Sequence, residues 1–111
     1  MEGAHQIATG DLVSLSEQQL VACSYKDGNL GCGGGLMDSA FTYAEGTAML
    51  TEDQYPYTGW KGVKNCQHGD ETGTVSVSDF YDVTTNSPSQ LKAALDLGPV
   101  SVAIQADQAV F

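Results

Sequence analysis

A chain of 111 residues has the length of one ordinary domain. With 41% hydrophobic and only 16% charged residues it can build a core and is not composed like a disordered chain. Its 4 basic and 14 acidic residues give a net charge of −10, which argues against nucleic acid or anionic membrane partners, since both need Lys and Arg to displace counterions.

That acidity suits a solubilising surface, and equally an acidic working compartment. No apolar run approaches the ~18 residues of a membrane span. The opening Met1-Glu2-Gly3-Ala4-His5-Gln6 has neither the basic nor the apolar region of a signal peptide. The three cysteines are an odd number, so a bridged protein of this composition leaves one thiol without an internal partner.

In chain order, the first helix signal is Leu15-Ser16-Glu17-Gln18-Gln19-Leu20. Ser16 can cap the helix, Gln19 completes a capping box, and Leu15 with Leu20 makes a hydrophobic staple. The helix is expected to end near Ala22 or Cys23. Residues 24 to 35 carry five glycines in twelve positions, which predicts a loop.

A second helix is expected from Leu36 to Glu45, with Met37, Phe41 and Ala44 on its apolar side and Gly46 as its stop. Tyr55-Pro56-Tyr57 predicts a turn with both rings packed inward. Thr74 to Val77 alternates like a strand, which Phe80 to Val83 can continue.

Ser87-Pro88-Ser89-Gln90 opens a third helix, with Leu91, Ala94 and Leu95 as its buried stripe and Gly98-Pro99 as its end. Val100, Val102 and Ile104 then alternate with polar or small residues, which predicts a half-buried strand. The order of elements makes the chain α+β.

The motifs exclude more chemistry than they assign. The run Gly31-Cys32-Gly33-Gly34-Gly35 lacks the Lys and preceding strand of a phosphate-binding loop. A calcium loop beginning at Asp27 fails at its sixth position, Cys32, and at its twelfth, Asp38. Cys23, Cys32, Cys66 and His68 contain no close pair of cysteines of the kind that opens a zinc knuckle. Cys32 is conceivable as a nucleophile paired with His5 or His68, although most lone cysteines are buried or bridged. No metal or cofactor is expected.

Three segments together resemble the papain-like cysteine proteases: Leu15-Ser16-Glu17-Gln18-Gln19-Leu20-Val21-Ala22-Cys23, Gly31 to Phe41, and Tyr55-Pro56-Tyr57. The stretches Gly35-Leu36-Met37-Asp38 and Pro99 to Ile104 are most similar to the cathepsin L type. The resemblance implies a two-lobed fold with a cleft between the lobes. Residues 1 to 79 would be part of the helical left lobe, without its central helix apart from an end at Glu2-Gly3, and residues 80 to 111 the beginning of the β-rich right lobe.

It further implies that the nucleophilic Cys lies about two helical turns before Met1, and that the general-base His and the orienting Asn lie beyond Phe111. The chain is therefore expected to be an internal piece of a cysteine endopeptidase, without catalytic residues and inactive alone. A catalytically dead homologue that binds peptides or an inhibitor is the alternative.

By the same resemblance Cys23 bridges Cys66, and Cys32 is left as a free thiol. Gly33, Gly34 and Gly35 form an edge for an extended peptide, with Gly35 bonding it through its backbone. Leu36, Met37 and Ala103 line an apolar pocket, and Leu30 borders the neighbouring subsite. Gly33 stands where the family usually has Asn. Expected partners are a peptide or protein substrate and a propeptide or cystatin-like inhibitor, in a lysosomal, vacuolar or secreted setting. The chain on its own is expected to be loosely packed and to self-associate.

Overall fold

The computed structural model describes residues 1–69 and 71–110. Four helices carry the architecture: α1 (Glu2–Thr9), α2 (Glu17–Cys23), α3 (Met37–Gly46) and α4 (Pro88–Leu97). Short 3₁₀ turns at Ser24–Asp27 and Gly31–Gly33 join α2 to α3, and another lies at Gly59–Gly62.

The core forms around α2 and the chain segments that pass over it. Leu15, Tyr43, Ala44, Met49 and Val75 make its main cluster, while Ala22, Leu50 and Tyr55 make a second. Leu20 packs against the first cluster, as a staple with Leu15 requires. Cys23 touches both clusters and is bonded to Cys66, with 4.9 Å between the Cα atoms.

The cap of α2 forms on one side only. The Gln19 N–H donates to the Ser16 hydroxyl oxygen at 3.0 Å, and that hydroxyl donates onward to the Tyr55 carbonyl at 2.6 Å. The returning half of the box is not made, because the Ser16 N–H donates to Leu50 at 3.0 Å.

Gln19 turns into the core instead, where its carbonyl oxygen accepts from the Leu50 N–H at 2.7 Å. Its amide donates to Tyr43 Oη at 3.1 Å and to the Ala48 carbonyl at 3.2 Å. Gln18 grips the opposite segment, accepting from the Thr58 and Gly59 N–H groups, each at 2.8 Å. Both glutamines are fully buried. They bond the Ala48 carbonyl and the Leu50, Thr58 and Gly59 N–H groups, which the backbone pairing of Met49 with Val75 leaves over, and so satisfy that backbone.

Several expectations need correction. α3 buries Tyr43 and Ala44, whereas Met37 is 40% exposed and Phe41 packs beside Phe80, with ring centroids 5.5 Å apart. Tyr55 is buried, but Tyr57 points outward. α4 starts at Pro88 as its sequence predicts, yet Leu91, Leu95 and Leu97 are exposed. None of the residues of α4 is buried.

The expected strands are extended chain with almost no pairing. Among the described residues the β-structure consists of two isolated bridges, Leu15 with Thr51 and Met49 with Val75. Val102 and Ile104, expected to be half-buried, are 63% and 66% exposed. An alternating sequence makes a strand only when a neighbour supplies the ladder, and among the described residues none does so for residues 100–104.

Candidate functional site

The path of the glycine turn depends on three of its glycines. Gly28, Gly31 and Gly34 have φ of 100°, 59° and 104°, a region that side chains avoid. A Cβ on Gly31 would run into the hydroxyl of Tyr25, whose ring lies 5.7 Å from Lys64 Nζ. The turn thus leans on the segment next to the Cys23–Cys66 bridge.

Within the turn most backbone groups are used internally. The Leu30 N–H donates to Gly34 O at 2.8 Å, Gly33 N–H to Leu30 O at 3.0 Å, and Gly34 N–H to Gly31 O at 3.2 Å. The Leu36 N–H donates to Asn29 Oδ1 at 3.0 Å, and Leu36 O accepts from Ala40 at 3.2 Å. Gly35, like Cys32, has no hydrogen-bond partner for either its N–H or its C=O among the described residues, and unlike Cys32 it is exposed.

Beside Gly35 runs an open, mainly apolar groove of about 270 Å³, lined by Val21, Asn29, Gly34, Gly35, Leu36 and Met37, with Leu20 and Ala40 deeper along α2 and α3. Leu36 is 69% exposed, so neither it nor Met37 serves as core of α3. Of the residues singled out from the sequence, the structure brings Gly34, Gly35, Leu36 and Met37 to this groove. Gly33 and Leu30 sit next to it, where a Cβ on Gly33 would meet Leu30 Cβ at 3.5 Å. Ala103, on the extended chain after α4, is not among the lining residues.

Cys32 is a free, partly exposed thiol in the same turn. The described residues hold no group of three or more His, Cys, Asp and Glu side chains fit for a metal ion.

Sequence reading missed Asn29. It is buried, donates from Nδ2 to Ser24 Oγ at 2.8 Å and accepts from the Leu36 N–H. Its position in a Gly-Asn-Leu-Gly run reads as an ordinary turn residue. Only the fold of the turn shows that the side chain points back beneath it.

Fold and groove together define a helical scaffold, closed by a disulfide, that presents the backbone of Gly35 next to an open apolar groove. Comparison with known proteins gives that scaffold a family. The chain belongs to the papain family of cysteine proteases, whose family model, described as Papain family cysteine protease, matches residues 1–111.

Among curated relatives, Cysteine protease 1 of Oryza sativa subsp. japonica is 45% identical over 107 residues, covering 96% of this chain and 22% of the relative. Procathepsin L of Mus musculus is 41% identical over 107 residues, covering 96% of this chain and 31% of the relative. Among solved structures, digestive procathepsin L 3 of the Tenebrio molitor larval midgut superposes with a TM-score of 0.78 at 36% identity. That match covers 86% of this chain and 31% of the other. The architecture is accordingly a papain-like one, and the chain spans less than a third of the length of these relatives.

Proposed function

We propose that these residues form the non-prime substrate-binding wall of a cysteine endopeptidase. The observation that supports this most is Gly35, whose N–H and C=O are both free beside an apolar groove. A single residue offering donor and acceptor together can exchange two hydrogen bonds with one residue of an extended peptide, a minimal strand addition. The side chain of that peptide residue would enter the groove between Leu36 and Met37, which favours Leu, Phe or similar groups. A misfit of one methylene in such a pocket costs roughly 1–3 kcal/mol of discrimination.

Gly33 and Gly34 extend the edge, and Leu30 borders the next position. In the whole enzyme a Cys thiolate attacks the scissile carbonyl, His carries the proton, and an acyl-enzyme forms and is hydrolysed. The wall's part is to bind and orient, and the nucleophile and base belong to other segments. Propeptide or cystatin-like inhibitors would use the same edge. The Cys23–Cys66 bridge fits a protein made through the oxidising ER, on the route to a lysosomal, vacuolar or secreted setting.

The test uses a fluorogenic peptide ending in Phe-Arg before the reporter, together with the intact mass of the protein from its natural source. The 111-residue chain is expected to leave the peptide uncut, and the source protein to be heavier and active. Hydrolysis by the 111-residue chain itself would overturn this division and move attention to Cys32.

A further inference from the structure

We infer that Asn29 is the positioning residue of the glycine edge: its buried amide fixes the direction in which the Gly35 backbone faces a bound peptide. The inference rests on Gly35 being the peptide-pairing residue, as proposed above.

Three observations meet at this side chain. Oδ1 accepts from the Leu36 N–H at 3.0 Å, the backbone donor immediately after Gly35. Nδ2 donates to Ser24 Oγ at 2.8 Å, and Ser24 Oγ in turn donates to the Leu20 carbonyl at 2.7 Å. The amide is therefore anchored to the end of α2, and its flip state is set by donors and acceptors on both sides. Finally, a Cβ added to Gly35 would collide with Oδ1 and Cγ of Asn29, so the Gly35 backbone lies directly on the amide.

The consequence is geometric. Leu36 N–H, were it free, would compete with Gly35 as a donor to the peptide and allow a register one residue away. A slip of one residue turns every peptide side chain to the other face. Holding Leu36 N–H inward leaves the Gly35 N–H as the one unpaired backbone donor from Gly33 to Leu36 among the described residues, beside its own unpaired carbonyl. Asn29 thus selects the register that sends a peptide side chain into the groove it also lines.

The experiment titrates the ¹⁵N-labelled 111-residue chain with acetyl-Phe-Arg-amide and follows the Gly35 and Leu36 amides. The unmodified chain is expected to show saturable shifts centred on Gly35. Asn29→Leu, which keeps the volume but removes the acceptor, should weaken binding at least tenfold and speed hydrogen exchange at Leu36, while the α2 amides keep their protection. Asn29→Asp, which retains the acceptor, should stay within threefold of the unmodified chain. Were Asn29→Leu to unfold, Ser24→Ala carries the comparison, since it removes the anchor of the amide, with its bond to the Leu20 carbonyl, and leaves Asn29 itself in place; threefold weaker binding is expected.

Binding by the unmodified chain with unchanged affinity in Asn29→Leu, or in Ser24→Ala where that variant replaces it, would overturn the role of Asn29 and leave the glycine edge standing. Absence of any shift at Gly35 in an unmodified chain whose α2 amides are protected would overturn both.

Discussion

At the scale of single residues, α2 works through its two buried glutamines. Each binds backbone groups far along the chain, Leu50 in one case and Gly59 in the other, and Gln19 also donates to Tyr43 Oη. Replacing Gln19 with Leu leaves the buried Leu50 N–H and the Ala48 carbonyl without their partner. An orphaned buried group costs about 1–3 kcal/mol, so Gln19→Leu should lower stability by about 3 kcal/mol in urea unfolding, with Glu17→Gln on the exposed side as a near-neutral control. Tyr43 shares this network. Burial pushes its hydroxyl above the ordinary value of 10.0, against the opposing effect of hydrogen bonds with Gln19 and Thr47. A phenol raised on folding contributes stability that is fully present below its unfolded value and is lost as pH rises through the folded one. The stability difference between the unmodified chain and Tyr43→Phe should therefore be constant up to about pH 9 and shrink above pH 10, which thermal unfolding across pH 8 to 11 would show. At this scale the sequence reveals Ser16 as a cap and the glycines as a turn, because both signals are local. Gln18, Gln19 and Asn29 are illegible there, since their roles depend on which distant or folded-back backbone arrives beside them.

At the scale of elements, the disulfide and the turns matter more than the helices' own propensity. α2 has seven residues and α1 eight, both too short to be stable alone. What holds α2 is the crossing of residues 48–51 on one side and the 58–66 segment on the other. Tyr55 Oη joins the latter, donating to Asn65 O at 3.2 Å and accepting from Gln67 N–H at 3.0 Å on either side of Cys66. The Cys23–Cys66 bridge closes a separation of 43 residues, and in the chain-entropy picture such a loop stabilises by about 4 kcal/mol at most. Reduction is expected to lower the urea midpoint and to release the amides of residues 58–67 to hydrogen exchange before those of α3. Equal loss of protection in both would mean that the bridge closes the whole fold rather than one side of it. The start of α2 was readable from the cap at Ser16 and that of α4 from Pro88, although Ser87 makes no side-chain cap, and both elements appear within a residue of expectation. The strands were not recoverable. Alternation at Val100, Val102 and Ile104 shows that these residues can line a sheet, but pairing needs a neighbour, and periodicity carries no information about whether one is present.

At the scale of the whole molecule, the chain is wider than its mass requires. A folded monomer of 11.6 kDa exposes about 5,800 Å², whereas this chain exposes 7725 Å². Its radius of gyration is 15.2 Å, against about 13 Å for a compact domain of this length. The excess is concentrated after Val75, where no described residue is fully buried and Leu95, Leu97, Val102 and Ile104 face outward. Apolar area on that scale drives association. The net charge of −10 opposes it by mutual repulsion between copies. These two effects respond differently to salt: screening shortens the Debye length from about 30 Å at 0.01 M to about 3 Å at 1 M, while burial of apolar surface is not weakened by it. Sedimentation velocity should therefore find mainly monomer at about 10 mM NaCl and larger species at about 1 M. The double variant Val102→Asp/Ile104→Asp should remain monomeric in both, because it adds charge to the surface that would be covered. A chain that stays monomeric throughout at high salt would show that the exposed stretch folds back on its own surface, and amide exchange across residues 100–106 would then be slow rather than fast.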